Sequence, residues 1–336
     1  LSYEDIAVLY RTNAQSRAFE GELRKNNIPY RIYGGTSFYQ RKEIKDTLAY
    51  FRLAVNPKDN EALLRALTFP SRGIGDTTMK KVTLCAIENN QSYLEVMRHP
   101  DNFPLDMSGP MRKKISAFAA MIDEMAVQSE EMDAFRFAEM LLKQTGLTTA
   151  LMMDRTTEGI DRAQNVQELL NAIREFVTQR ANEGIDYTPI TDFLSEVSLM
   201  TDQDDNQADT TNRVTLMTVH AAKGLEFPVV YIVGLEENLF PSQFCTTQYE
   251  IEEERRLFYV AITRAMQTCV VSYARQRFRN GQITFNSPSR FLNDIDRAYM
   301  QILKNNPQPS TTRWGTNTTW GTPFRSSAYE QHTTIR

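Results

Sequence analysis

The sequence predicts an α/β chain in which a parallel-sheet layer is interrupted by an all-helical segment. Three observations carry this. Residues 6–10, 214–219 and 229–233 form short, mostly apolar runs rich in β-branched residues. They are too short for amphipathic helices and suit strands buried on both faces of a parallel sheet. Residues 1–55 alternate strand and helix patterns, the rhythm of an α/β layer. From Asn56 to about Ser198 the pattern is helical almost throughout, and strands resume only at Val214.

Taken in order, IAVLY (6–10) is a strand running into RTNAQSR, where Asn13 can cap a helix that turns Phe19 and Leu23 inward. PYRIYGG (29–35) is a strand ending in two glycines, and residues 43–53 place Ile44, Leu48 and Phe51 at helical spacing. In the helical segment the Met- and Phe-rich faces of 111–125 and 135–142 read as core. ALLRALTF ends at Pro70, and SRGIGDTTMKKVTLCA begins a new helix near Asp76 or Thr77. Gly73 and Gly75 can turn amides outward, the helix start adds free N–H groups, and Lys80 and Lys81 add charge. With Arg72 and Ile74 this Arg-Gly-Ile-Gly turn suits a DNA phosphate and reads no bases. It is equally a tight turn between two helices. Residues 201–212 are acidic and polar and read as a hinge. The last strand, TCVVSYA, brings the sheet to about five strands. PSRFLNDI (288–295) is a closing helix, and beyond Lys304 the Thr/Asn/Ser/Gln/Pro composition is that of a flexible tail.

At 336 residues the chain has room for about two domains. Apolar content of 41 % and charged content of 24 % are those of a soluble protein, and no run approaches the length needed to cross a membrane. Cys85, Cys245 and Cys269 are scattered and odd in number, which argues against a disulfide framework and fits a reducing cytoplasm. The net charge of −4 gives no bulk case for nucleic acid, so any DNA contact must be local. There is no initiator Met, and the chain reads as a piece of something longer.

Two stretches carry chemistry. In VTLMTVHAAKGLEF (214–227) a strand stops at a polar loop, placing Thr218, His220, Lys223 and Glu226 beyond the carboxyl ends of the strands, where ligands sit in such sheets. EEERRLFYVAITRA (252–265) reads as a helix with Glu252 and Arg256 as an i,i+4 pair. On it Leu257 and Ala261 share a face that ends in Arg264. That arginine either complements the negative end of the helix dipole or reaches into a phosphate site of a neighbouring lobe as an arginine finger.

T-x-H-x-x-K-G-L-E followed by E-E-E-R-R-L-x-Y-V-x-x-T-R-A resembles motifs V and VI of superfamily 1A DNA helicases, the UvrD/PcrA/Rep group. IAVLYRTNAQSR and YGG…F…EIKD are similar to segments opening that family's second RecA-like lobe, and the Gly-Ile-Gly turn recurs in its helical insertion. The resemblance covers residues 1 to about 295. It implies a RecA-like lobe, the second of a P-loop NTPase type, over 1–55 and 213–300. The helical insertion takes 56–200, a flexible connection 201–212 and a disordered tail 301–336. It further implies a 3′→5′ DNA helicase active in repair or replication, driven by ATP and Mg²⁺. Gly224, Glu226 and Arg264 would face the nucleotide, with Glu226 on the ribose and Arg264 on the γ-phosphate. Thr218 and His220 would face single-stranded DNA, with Arg11 and Asn13 as further candidates. Arg72, Gly73, Ile74, Gly75, Lys80 and Lys81 would face the duplex of a junction.

No G-x-x-x-x-G-K-[ST] occurs and no paired-carboxylate strand end is present to hold Mg²⁺. The expectation is that the metal ligands and phosphate loop belong to a first RecA-like lobe, and that this chain alone is inactive. Two other classes stay open: a subunit of a helicase–nuclease, and a non-catalytic module for DNA binding or partner docking. Trp314 and Trp320 repeat in a Trp-Gly-Thr pattern within the tail. They suit docking on a protein partner or stacking on bases between Arg313 and Arg325, unless the tail is a neutral extension.

Overall fold

Burial is continuous along the first strand and sets the layer. The computed structural model describes residues 1–206, 211–279, 282–302 and 330–335. In β1 (Ile6–Tyr10), Ala7 and Leu9 enter one apolar cluster while Val8 and Tyr10 enter another, so both faces are covered. A 3₁₀ turn at Asn13–Gln15 leads into α1 (Ser16–Lys25). Phe19 and Leu23 of α1 pack on the second cluster, as their spacing predicts. β2 (Tyr30–Ile32) follows.

The chain then leaves for a helical unit, residues 36–209. Its helices are α2 (Lys42–Val55), α3 (Asn60–Thr68), α4 (Asp76–Glu88), α5 (Tyr93–Arg98) and α6 (Gly109–Glu131). The set continues with α7 (Ala134–Gln144), α8 (Leu147–Met153), α9 (Thr157–Asn182) and α10 (Ile190–Asn206). The sequence assigns residues 1–55 to the sheet lobe, whereas in the structure residues 36–55, with α2, group with the helical unit. The cause is packing: Ile44, Leu48 and Phe51 are buried in the helical core, and the Phe51 and Phe137 rings lie 6.2 Å apart. The Tyr50 hydroxyl donates to the Ala66 carbonyl at 2.6 Å. α10 also continues to Asn206, past the expected hinge start at Thr201. Val197 is buried, and the Thr201 hydroxyl donates to its carbonyl at 2.7 Å, carrying the helix across the polar boundary.

The second half of the α/β unit holds β3 (Val214–Thr218), β4 (Phe227–Ile232), α11 (Gln248–Ile262) and β5 (Ala265–Ala274). A hairpin of β6 (Gln276–Arg279) and β7 (Gln282–Phe285) follows, then β8 (Met300–Ile302) and β9 (Glu330–Ile335). The sheet order is β2-β3-β1-β4-β5-β9-β8. The first five strands are all parallel, the five that the apolar runs predict.

Two features differ from the expected carboxyl end. Residues 288–295 hold a 3₁₀ turn (Arg290–Asp294) in place of an α-helix. It seats Phe291, fully buried, against Phe258 at 5.8 Å and Phe240 at 6.1 Å. Within the expected tail, β9 pairs antiparallel with both β5 and β8. The edge of β5 presents a row of backbone donors and acceptors that need partners, and Thr333, Thr334 and Ile335 are β-branched residues suited to a strand. Trp314 and Trp320 lie outside the described residues.

All three cysteines are free, and burial in the sheet pushes the Cys269 thiol up to about 12. Among the described residues no helix is long and apolar enough to cross a membrane.

Candidate functional site

The loop between β3 and β4 does not lie at one edge of the sheet. Thr218 is level with Tyr10 at the carboxyl ends of β3 and β1, and Val219 N–H donates to the Tyr10 carbonyl at 2.9 Å. Thr218 Oγ1 accepts from Ala221 N–H at 3.2 Å, closing a turn that exposes His220. Gly224 then adopts φ +86°, with open space where a side chain would stand. Only a residue without a Cβ takes that angle at little cost. From there the chain reaches Phe227, which pairs with Ala265 at the amino ends of β4 and β5.

This corrects one sequence expectation. Thr218 and His220 do lie at the carboxyl edge, but Glu226 is delivered to the opposite, amino edge, roughly 15 Å away along the strands. The reason is topological: β3 and β4 are parallel, so the connection must return to where β4 begins.

Arg264 lies at that same amino edge, where its carbonyl is bonded to the first residue of β4. Its guanidinium donates through Nε to the Val260 carbonyl at 3.0 Å, through Nη1 to the Leu225 carbonyl at 3.1 Å, and through Nη2 to Thr263 Oγ1 at 3.1 Å. The Arg264 carbonyl in turn accepts from Phe227 N–H at 2.9 Å. The first of these bonds satisfies a carbonyl at the carboxyl end of α11, the helix-end role weighed from the sequence. The second reaches the residue before Glu226. The two motifs, nearly forty positions apart in the chain, are therefore stitched backbone to side chain and back.

At the other end of α11, Thr247 Oγ1 accepts from Glu250 N–H at 3.2 Å, a capping box. Hydrogen bonds from the Thr247 backbone hold the Glu250 carboxyl below its ordinary range. Glu252 pairs with Arg255, and Glu253 with Arg256, so the expected Glu252–Arg256 pair is replaced by i,i+3 contacts.

Arg11, expected at the single strand, is instead held by a carboxylate. Its Nε lies 3.0 Å from both oxygens of Glu254, and its Nη2 is 2.7 Å from Oε1. The Glu254 side chain is 7 % exposed and also accepts from Ser242 N–H at 3.3 Å. Sequence reasoning missed Glu254 because it sits inside an acidic run that reads as solvated. The signal was its spacing: Ile251, Glu254, Phe258 and Ala261 form the buried stripe of α11.

Gln15 supports the same loop, accepting from Arg11 N–H at 3.0 Å and Thr12 N–H at 2.9 Å. The Gln15 amide nitrogen occupies the space left by Gly234, where a Cβ would stand 2.3 Å away, and Gly234 is itself at φ +73°. Gly234→Ala should therefore cost about 1–3 kcal/mol of stability from backbone strain alone. The urea midpoint of this chain checks it, and an unchanged midpoint would show that the backbone at this position relaxes out of the left-handed region at no cost.

In the helical unit the Gly-Ile-Gly turn has the expected form. Gly73 is left-handed at φ +66°, and Gly75 is the residue before α4. Three of its expected phosphate contacts are otherwise engaged. Arg72 donates to Tyr50 Oη and to the Thr145 carbonyl, each at 3.0 Å, and lies over the Phe118 ring. Ile74 is buried, and Lys81 is paired with Asp106 at 3.0 Å. Gly73, Gly75 and Lys80 remain exposed. No group of His, Cys, Asp and Glu among the described residues is arranged to hold a metal.

Residues 1–276 match the family of the UvrD-like helicase C-terminal domain. The chain is 36 % identical over 335 residues to the ATP-dependent DNA helicase PcrA of Staphylococcus aureus, covering 99 % of this chain and 44 % of that protein. To the PcrA of Leuconostoc citreum it is 39 % identical over 320 residues, 93 % of this chain and 42 % of the relative. The chain thus spans less than half the length of these curated relatives. A RecA-like parallel sheet, an inserted helical unit, and two motifs joined at the sheet's amino edge accompany that match, and the chain belongs to the UvrD-like helicase C-terminal domain family.

Proposed function

We propose that this chain is the carboxyl-terminal half of an ATP-dependent DNA helicase moving 3′→5′ on single-stranded DNA, acting in repair or replication in the cytoplasm. The observation that carries the reading is the bond from Arg264 to the Leu225 carbonyl, which ties the guanidinium to the residue before Glu226 at one edge of the sheet. ATP would lie between that edge and a first RecA-like lobe supplying the phosphate loop and the Mg²⁺ ligands. Glu226 would accept from the ribose, and Arg264 would meet the γ-phosphate, where a planar cation stabilises developing charge. Thr218, His220 and Asn13 would face the strand, and Arg11 would position their loop through Glu254.

The residues 219–226 then acquire a mechanical meaning. One end touches DNA and the other sits beside the nucleotide, so a shift of Glu226 on ATP binding is transmitted to Thr218 through eight residues anchored at both edges. The expected result is that this chain alone hydrolyses no ATP, with or without DNA, and that adding the first lobe of a PcrA-type relative restores DNA-stimulated hydrolysis. Robust turnover by the isolated chain, surviving loss of Arg264, would overturn the assignment.

A further inference from the structure

Two helices meet at the Gly-Ile-Gly turn. Gly73 has no side chain, and α6 uses the space: a Cβ on Gly73 would stand 3.0 Å from Lys114 Nζ. Lys114 is exposed, as are Lys113 beside it and Lys80 on α4. None of the three has a salt bridge among the described residues, whereas their basic neighbours do. Lys81 is matched by Asp106, Arg112 by Asp101, and Arg98 by Glu95 and Asp123.

Charge balance identifies which residues matter. Around the turn and the start of α6 stand six cations, Arg72, Lys80, Lys81, Arg112, Lys113 and Lys114, against three acids, Asp76, Asp101 and Asp106. With Lys81 and Arg112 paired and Arg72 turned inward to Tyr50 and the Thr145 carbonyl, Lys80, Lys113 and Lys114 are the cations left facing solvent. In a chain of net charge −4, a local surplus beside exposed glycine amides and a helix start is the feature a polyanion would select. Consecutive helical residues diverge by about 100°, so the ammoniums of Lys113 and Lys114 spread apart. Lys114 turns to Gly73, and Lys113 lines a cleft with His99, Arg112 and Ser116. That cleft is not a separate anion site, because Arg112 already donates to the Pro100 and Leu105 carbonyls.

From this we infer that the phosphate-binding surface of the helical unit continues from the Gly-Ile-Gly turn over the first turns of α6, with Lys113 and Lys114 taking phosphates of a DNA duplex. The inference rests on the duplex-facing role that the resemblance implies for the turn and adds residues that the motif does not contain. Lysine suits the task, being a mobile point charge that needs no fixed base or register.

The test is anisotropy of a fluorescent hairpin duplex titrated with this chain at several salt concentrations. Lys113→Ala with Lys114→Ala should lower the slope of log affinity against log salt by about 1.8, since each phosphate contact contributes about 0.9. Lys143→Ala, an exposed lysine elsewhere in the unit, should leave it unchanged. Circular dichroism confirms that the surface variants fold. An unchanged slope in the double variant, or an equal loss on a single-stranded oligonucleotide, overturns the inference. Gly75→Val keeps the two ideas apart. If it weakens duplex binding while the lysine pair does not, only the extension falls. If the lysine pair lowers the slope and Gly75→Val changes nothing, the α6 surface stands and the role of the turn fails.

Discussion

Replacing Arg264 by alanine in the complete protein should lower DNA-stimulated ATP turnover by about 10³ to 10⁵, the range for removal of an arginine finger. Affinity for single-stranded DNA should barely change, because Thr218 and His220, the residues proposed to face the strand, lie at the other edge of the sheet. The structure adds a cost to separate out. Arg264 makes three hydrogen bonds here, two of them to backbone carbonyls. A half-buried, solvent-accessible set of this kind contributes about 1–2 kcal/mol, well short of the total stability of a domain. Arg264→Lys is the informative partner variant. It keeps the charge but not the planar fork, so it should rescue turnover poorly while recovering part of the stability. If turnover and the urea midpoint fall together and Arg264→Lys restores both, the helix-end contact is the whole role of this residue.

The second large effect is structural. Glu254→Ala should destabilise the α/β unit by about 3–5 kcal/mol, because it strands the Arg11 charge in a largely buried setting. Arg11→Ala should cost a similar amount by stranding Glu254. The double replacement Arg11→Ala with Glu254→Ala should cost much less than the sum, since no charge is left without its partner. Denaturant unfolding of the four proteins checks this. Additive losses would mean that the pair is no more than a surface contact.

The legibility of this fold varied with the physics behind each element. The five parallel strands were readable because burial on both faces forces continuous apolar runs, and β1, β3 and β4 have them. The helix of residues 42–55 was readable as a helix but not as a member of the helical unit. Periodicity reports that Ile44, Leu48 and Phe51 share a face, not what that face meets. The site was half readable. The resemblance of the two motifs singled out Glu226 and Arg264 as candidates, yet the edge on which they lie follows from strand direction, which no single loop reveals. Arg11 could be seen as a cation near a strand end. Its partner could not, because Arg11 and Glu254 are separated by 243 positions and meet only in space. β9 was missed because six residues of mixed polarity carry little pattern, and its pairing depends on an open edge elsewhere.

The insertion of the helical unit between β2 and β3 has a consequence for how the chain folds. These strands are hydrogen-bonded neighbours, Tyr30 level with Val214, yet residues 33–213 separate them. Bringing the ends of a flexible loop of that size together costs about 2–3 kcal/mol more in chain entropy than closing one of ten residues. That penalty applies only while the intervening chain is loose. Once α2 to α10 have condensed on their own core, most of the intervening length is no longer random, and little chain is left to order when β2 finds β3. The order of events is thereby biased: the insert collapses first through contacts close in sequence, and the interrupted sheet closes last.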